Sequence, residues 1–233
     1  MSAARLDHVL RRLAAHLDED GSVGGALCAT CVDVLDLPGA GITLQAGDGT
    51  SGSWSVSAGT MSTLEELEHT LGEGPCVDAY TFGVPVLEPD LAHPADARWV
   101  GFTAAALAAG AGAAFGFPLA IGGVRIGSLN LYADRPGGLT EDQHADALVL
   151  ADVATHVALA VQASAPTEEL AGELVDIGAH QLRVHQATGM VSAQLGTSVV
   201  DALAVLRARS YSSGRPVSAV ATDVVERRLR FEP

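Results

Sequence analysis

The chemistry available to this 233-residue chain rests on three cysteines and a few paired polar residues. Cys28-Ala-Thr-Cys31 has CxxC spacing, but no second pair and no nearby histidine accompanies it. Its apolar helical neighbours make both thiols small core residues rather than zinc ligands. Cys76, in Gly74-Pro75-Cys76, opens a short helix where the backbone dipole favours a thiolate, and it is the candidate for redox or ligand sensing. Asp152 and His156 stand four apart on one helix face and read as a structural pair. Gly122-Gly123 and Gly137-Gly138 are turn signals, since neither GxxxxGK nor GxGxxG occurs, and no Ser/His/Asp set follows from spacing. The expectation is a non-enzymatic protein without a metal centre.

A second constellation lies near the C-terminus. Arg207 and Tyr211 are four apart, hence on one helix face, and off the expected apolar stripe. Arginine can fork onto a phosphate and tyrosine can stack on a splayed base. A solvated Arg207 beside a Tyr211 that caps the core gives the same pattern. Arg215 follows in the next turn. Gln186, Thr188 and Ser192 are polar points on the preceding helix, candidates for base edges or plain exposed residues. Arg227, Arg228 and Arg230 add charge suited to steering or to backbone contact.

Charge separates these two regions. All 13 basic residues are arginine and the formal net charge is −15. Residues 1–165 hold 6 Arg against 20 Asp and Glu, whereas residues 180–233 hold 7 Arg against 4. A basic segment on an acidic chain is expected where one part meets a polyanion. A hydrophobic share of 48% with 18% charged residues excludes intrinsic disorder. Three cysteines cannot all pair, and Met1–Asp20 is charged throughout, so a cytoplasmic protein with reduced thiols is expected. Trp99–Val124 is uncharged, but its six glycines and Pro118 fit a buried helix followed by a central strand, not a membrane span.

Periodicity supplies the elements that must hold these residues. Helices are expected over Leu6–Leu17, Val23–Leu35, Met61–Leu71 and Arg98–Ala109, with Glu65, Glu66 and Glu68 on the wet side of the third. Strands are expected over Gly41–Gln45, Ser53–Ser57, Val84–Leu87, Ala113–Ile121 and Arg125–Tyr132, the last two joined by a Gly122-Gly123 hairpin. Thr140 and Gln143 form a capping box opening a helix that reaches about Val161. After an interruption at Ala163–Thr167, Leu170, Leu174, Ile177, Gln181 and Val184 alternate at 4-3 spacing, the seam of a short, dimerising coiled coil. Three short helices follow. The first stops at Gly196. The second is capped by Ser198 and Asp201, buries Val199, Leu203, Leu206 and Ser210, and ends at Gly214. The third buries Val217, Val220, Ala221, Val224 and Val225. The fold class expected is α+β: an antiparallel sheet flanked by helices over 1–165, then a coiled-coil helix and an all-α three-helix module over 166–233.

The strings HQATGMVSAQLG (185–196), DALAVLRARSYSSGRP (201–216) and VSAVATDVV (217–225) resemble the ANTAR domain, the RNA-binding module of bacterial transcription antiterminators. GEGPCVDAYTFGVPVLEPDL (72–91) and FPLAIGGVRIGSLNLYADRPG (117–137), within residues 20–162, resemble a GAF sensor domain of actinobacterial type. Ser210 departs from the alanine usual in the second ANTAR helix, which bears on how closely that helix approaches RNA. The resemblance implies a homodimer whose two modules hold tandem stem-loops in leader transcripts and keep a terminator hairpin from forming. It also implies a sensor gated by a small molecule or redox signal; no cofactor is specified. The RNA-binding residues it implies are Gln186, Thr188, Arg207, Tyr211 and Arg215. Two other functions fit less of the sequence: a DNA-binding regulator with a helix-turn-helix, and a GAF-fold thiol redox enzyme.

Overall fold

The computed structural model describes residues 3–20, 22–45, 51–94, 96, 98–164, 183–184 and 186–232. The chain divides into two compact units, the first of residues 1–68 and 72–164, the second of residues 69–71 and 165–233.

The first unit is built on one antiparallel sheet in the order β2-β1-β5-β4-β3, with β1 Gly39–Gln45, β2 Ser51–Val56, β3 Val86–Glu88, β4 Ala113–Ile121 and β5 Val124–Ala133. Gly122-Gly123 turns β4 into β5 as expected, pairing Ile121 with Val124. Strand alternation gives the sheet two characters. Leu129 and Leu131 join Phe115, Phe117, Leu119, Ala40 and Ile42 in an apolar core under three helices, α1 Ala3–Asp20, α2 Val23–Leu35 and α6 Glu141–Ser164. Ser128, Asn130 and Tyr132 alternate with those leucines onto the opposite face, and they too are buried. That face meets α3 Thr60–Leu71 and α4 Pro75–Phe82.

The capping box at α6 forms reciprocally: Thr140 N–H donates to Gln143 Oε1 at 2.9 Å, and Gln143 N–H to Thr140 Oγ1 at 3.1 Å. Gln143 Nε2 also donates to the Leu35 carbonyl at 2.7 Å, tying α6 to the end of α2. Arg5 on α1 pairs with Asp142 and Asp146 on α6. By length and composition α6 is apolar enough to cross a membrane, but Ala147, Leu150 and Ala154 pack it into the core. The uncharged stretch from Trp99 folds as a helix and then an internal strand, β4.

Three expectations are corrected here. β3 starts two residues later than expected, leaving Val84 exposed. Helix α5 is Val100–Ala108, because Trp99 takes a left-handed φ of 55° and Glu73 Oε2 accepts the Gly101 and Phe102 amides at 3.1 and 3.4 Å, capping the helix from another loop. Glu65 and Glu68 lie on the dry side of α3, with only Glu66 outward. Met61, Leu64, Glu65 and Glu68 follow i, i+3, i+4, i+7 spacing, so the two carboxyls share the apolar stripe.

In the second unit, residues 186–195 are helical (α7), followed by α8 Val199–Ser213 and α9 Val217–Val225. Val184, Ala187, Val191, Ala202, Leu206, Val217, Val220, Ala221 and Val224 form its core. Ser198 Oγ caps α8 through the Asp201 amide at 3.1 Å, and Gly214 ends it at φ 60°. The buried stripe of α8 is Ala202, Leu206 and Ser210, with Leu203 partly buried; Val199, in the first turn beside the cap, is exposed. Leu170, Leu174, Ile177 and Gln181 of the expected seam, with the interruption's Ala165–Thr167, lie outside the described residues. Val184, read as the seam's last position, is buried in this core.

Because Gln143 serves two helix ends and Thr140 one, Gln143→Ala is expected to destabilise the sensor more than Thr140→Ala. Thr140→Ala should cost about 1 kcal/mol, a fall of roughly 2–4 °C in thermal midpoint, and a larger fall for Gln143→Ala is checked by the same melt.

Candidate functional site

The sheet face under α3 and α4 carries a buried polar cluster. Across three strands, Gly41 on β1 stands opposite Asn130 on β5, which stands opposite Gly116 on β4. The two glycines are required by close approach. A Cβ at Gly41 would sit 2.2 Å from Glu65 Oε1, and one at Gly116 2.4 Å from the Pro75 carbonyl oxygen. A side chain at Gly116 would meet the backbone of α4 and push that helix off the sheet, and one at Gly41 would displace the Glu65 carboxyl.

Into this gap α3 delivers Glu65, 8% exposed, and Glu68, 6% exposed. Glu65 Oε1 accepts hydrogen bonds from Asn130 Nδ2 at 3.0 Å and Thr43 Oγ1 at 3.4 Å, and Asn130 Nδ2 also donates to Thr43 Oγ1 at 2.9 Å. Ser53, opposite Thr43 on β2, has its hydroxyl close enough to favour the Glu65 carboxylate, though outside hydrogen-bond geometry. Burial outweighs these partners and pushes Glu65 up to about 7. Glu68 Oε1 accepts the Cys76 amide at 3.0 Å. Burial pushes Glu68 up to about 8, with the Glu65 and Asp78 charges adding to it against hydrogen bonds from the Cys76 thiol and amide. Neither carboxyl has an ion-pair partner among the described residues. Glu65 Oε2, Asn130 Oδ1 and Ser53 Oγ are buried without a hydrogen bond.

Cys76 sits at the start of α4, where the sequence expectation was a thiolate. The structure reverses the sign of that expectation. Burial, and then the Glu68 charge, push the thiol well above its ordinary value, and a helix terminus does not offset two buried carboxyls. Cys28 and Cys31 are buried in the core of the other face, and Cys31 is likewise raised by burial. Among the described residues no group of three or more His, Cys, Asp and Glu is placed to hold a metal ion. His156 Nδ1 lies 2.8 Å from the Asp152 carbonyl and 3.6 Å from its carboxylate, an exposed local contact.

The nucleic-acid candidates separate into three groups. Tyr211 is 70% exposed and Gln186 is exposed. Arg207 is partly buried, its Nε has no hydrogen bond, and burial pulls its guanidinium below the ordinary arginine value. Arg215 is exposed but held by Asp223 at 2.8 Å; Asp223 also binds Arg228 Nε at 2.8 Å, and Arg228 pairs with Glu226. The two guanidiniums keep Asp223 below the usual carboxylate range, Arg215 first. Thr188 is corrected: it is 2% exposed, and its hydroxyl donates to the Val184 carbonyl at 2.6 Å, so it presents nothing outward. Ser192 Oγ likewise donates to the Thr197 carbonyl at 2.7 Å. Ser210 faces inward and its hydroxyl donates to the Arg215 carbonyl, closing the α8–α9 turn, so its departure from alanine acts on the turn and not on an outer face.

Sequence reasoning passed over Glu65, Glu68, Asn130 and Thr43. The signal was present in the stripe of α3 shared with Met61 and Leu64, and in the polar alternation Ser128, Asn130, Tyr132 along β5.

Two outcomes are expected. Folded Glu65 and Glu68 hold their protons up to about pH 7 and 8, against an ordinary value of 4.5. The folded state therefore binds more protons than the unfolded one between those limits, and stability falls as pH rises from about 4.5 to 8. The thermal midpoint should drop across that window, and Glu65→Gln with Glu68→Gln should flatten the profile. Second, all three thiols should react slowly with a thiol reagent in the native protein and rapidly after denaturation, as a timed titration would show.

Similarity to known proteins agrees with this architecture. The family model described as GAF domain matches residues 6–162. The fold is shared with the domain of a protein named as a two-component sensor histidine kinase from Sinorhizobium meliloti 1021, at TM-score 0.51 and 19% identity, covering 62% of this chain and 93% of that one. It is shared too with the GAF domain of a phosphoenolpyruvate-protein phosphotransferase from Coxiella burnetii, at TM-score 0.51 and 15% identity, covering 70% and 98%. The equivalent Acinetobacter domain gives TM-score 0.51 and 16% identity, covering 70% and 98%. No curated protein matches the chain in sequence. The matched residues include all five strands, both faces of the sheet and nearly all of α6, and on that ground the chain belongs to the GAF domain family.

Proposed function

We propose that this GAF protein is a regulator of gene expression in which the sensor unit governs RNA binding by the C-terminal unit, acting by transcription antitermination as a homodimer and without catalysis. The observation that carries this reading is the ungapped resemblance of residues 185–225 to the ANTAR module, together with a helical core that the matching residues can fill. Ala187, Val191, Ala202, Leu206, Val220 and Val224 turn inward, leaving Gln186 and Tyr211 outward. Tyr211 offers an aromatic face for an unpaired loop base, and Arg207, four residues earlier, offers a guanidinium whose Nε is unused.

Electrostatics favour small RNA loops over a long duplex. Arg215 and Arg228 are largely offset by Asp223 and Glu226, and residues 180–233 as a whole hold 7 Arg against 4 acidic residues, a small positive excess. Duplex binding relies on many phosphate contacts. Stacking on splayed bases needs few.

The test is equilibrium binding of the full chain to an RNA with two tandem small-loop hairpins, against loop-scrambled RNA and duplex DNA of equal length. Tyr211→Ala is expected to weaken loop-dependent binding roughly 5- to 150-fold, the equivalent of ~1–3 kcal/mol, while Tyr211→Phe retains it. Arg207→Ala should weaken it as well. The salt dependence should follow a slope near −0.7 per phosphate contact, as for single strands. Equal binding to all three nucleic acids would overturn the reading.

A further inference from the structure

In the C-terminal unit, Asp223 on α9 lies beneath two arginines. Its Oδ2 accepts a hydrogen bond from Arg215 Nη1 at 2.8 Å and its Oδ1 one from Arg228 Nε at 2.8 Å, while Arg228 Nη1 also donates to Glu226. The Asp223 side chain is 17% exposed, against 49% for Arg215 and 58% for Arg228. Two guanidiniums and two carboxylates cancel in charge, so a pair of arginines from the α8–α9 turn and from the end of α9 presents little net field to solvent.

The local fold does not depend on this carboxylate. Arg227 takes a left-handed φ of 61°, and the Asp223 carbonyl accepts the Arg228 and Leu229 amides at 2.7 and 3.0 Å, which ends α9. Phe231 N–H donates to Gln194 Oε1 at 2.9 Å, and Leu229 and Phe231 pack against the core. Backbone bonds and two apolar side chains therefore fasten the segment after α9, and exposed ion pairs contribute little to stability. What the carboxylate changes is the surface charge. Phosphates are common to every nucleic acid and carry no sequence information. A complex anchored by stacking at Tyr211 has a fixed register, whereas a sequence-independent complex can turn to bring any free arginine onto a phosphate. Releasing arginines thus favours the sequence-independent complexes.

We infer that Asp223, aided by Glu226, sets the selectivity of this unit by withholding Arg215 and Arg228 from phosphates, which leaves binding to contacts that only an unpaired loop offers. This rests on the reading of the unit as an RNA-binding module and names the residues that make it reject other polyanions. Arg215, which the resemblance places among the RNA contacts, is by this account a held residue. Each guanidinium released adds one phosphate contact. On duplex DNA one contact steepens the dependence of log K on log salt by about 0.9, so at 0.1 M salt it tightens binding roughly eightfold, and two contacts tighten it roughly sixtyfold.

The experiment measures binding of the full chain to duplex DNA and to the tandem-hairpin RNA across a salt series. Asp223→Asn should tighten duplex binding about eightfold at 0.1 M salt and steepen its slope by about 0.9; adding Glu226→Gln should bring about sixtyfold and about 1.8. Arg215→Ala placed on Asp223→Asn should restore the wild-type slope, and Arg215→Ala alone should leave duplex binding unchanged. Glu232→Gln removes the same charge at an exposed position outside the cluster and should leave the slope as it is. A thermal melt of each variant verifies folding. Glu226→Gln alone, also at an exposed position, should shift duplex binding in the same direction by releasing Arg228 in part. Duplex affinity and slope unchanged in Asp223→Asn, an equal gain in Glu232→Gln, or no reversal by Arg215→Ala would each overturn the inference. The two arms separate the ideas. Wild-type binding that ignores the loop removes the RNA reading, and the duplex arm still decides whether Asp223 withholds the arginines. Loop-dependent wild-type binding with no duplex gain in Asp223→Asn removes the inference and keeps the RNA reading.

Discussion

The close approach of two helices to one row of the sheet is the constraint on which the sensor depends. Gly41 and Gly116 flank Asn130, and their missing side chains let α3 and α4 reach the strands. That contact encloses Glu65 and Glu68, and once enclosed they shift toward the neutral form because burial penalises the charged carboxylate. The opposite face has no such feature. There, aromatic and aliphatic residues from β4 and β5 pack under α1, α2 and α6 in an ordinary apolar core. The face under α3 and α4 buries apolar residues too, Met61, Leu64 and Phe102 among them, so its carboxyls are set in a dry surround. Folded proteins commonly place such costs at sites that do something.

The second unit handles polar groups differently. Its buried hydroxyls, Thr188 and Ser210, are satisfied by backbone carbonyls within the same helix or turn, so they stabilise local geometry and stay out of reach of any partner. At its surface Asp223 draws in Arg215 and Arg228, while Arg209, Arg227 and Arg230 stand exposed. What remains outward is sparse, an exposed tyrosine, a glutamine and a few arginines.

Much of the fold was legible in the sequence because local signals there agree with the tertiary outcome. The Thr140–Gln143 box, the Gly122-Gly123 hairpin, the Ser198 cap and the periods of α1, α2, β4 and β5 each follow from short-range geometry that the rest of the fold does not contradict. Errors fell where a neighbour from a distant part of the chain decides. α5 begins after Trp99 because Glu73, in the loop before α4, supplies its cap. Val199 is exposed although apolar, since the turn that carries its cap faces outward.

The candidate site divides in the same way. The sequence by itself determined the α+β order of elements, the apolar face of the sheet, the two CxxC thiols as core residues and the contrast between an acidic first unit and a basic last segment, since composition and period need no partner. Only the tertiary structure decided that Glu65 and Glu68 are dry, that Asn130 meets Glu65 from β5, that Cys76 is a thiol and not a thiolate, and that Thr188 faces inward. The reason is physical. A carboxyl or a thiol titrates according to what surrounds it, and those surroundings come from strands and helices tens of residues away along the chain.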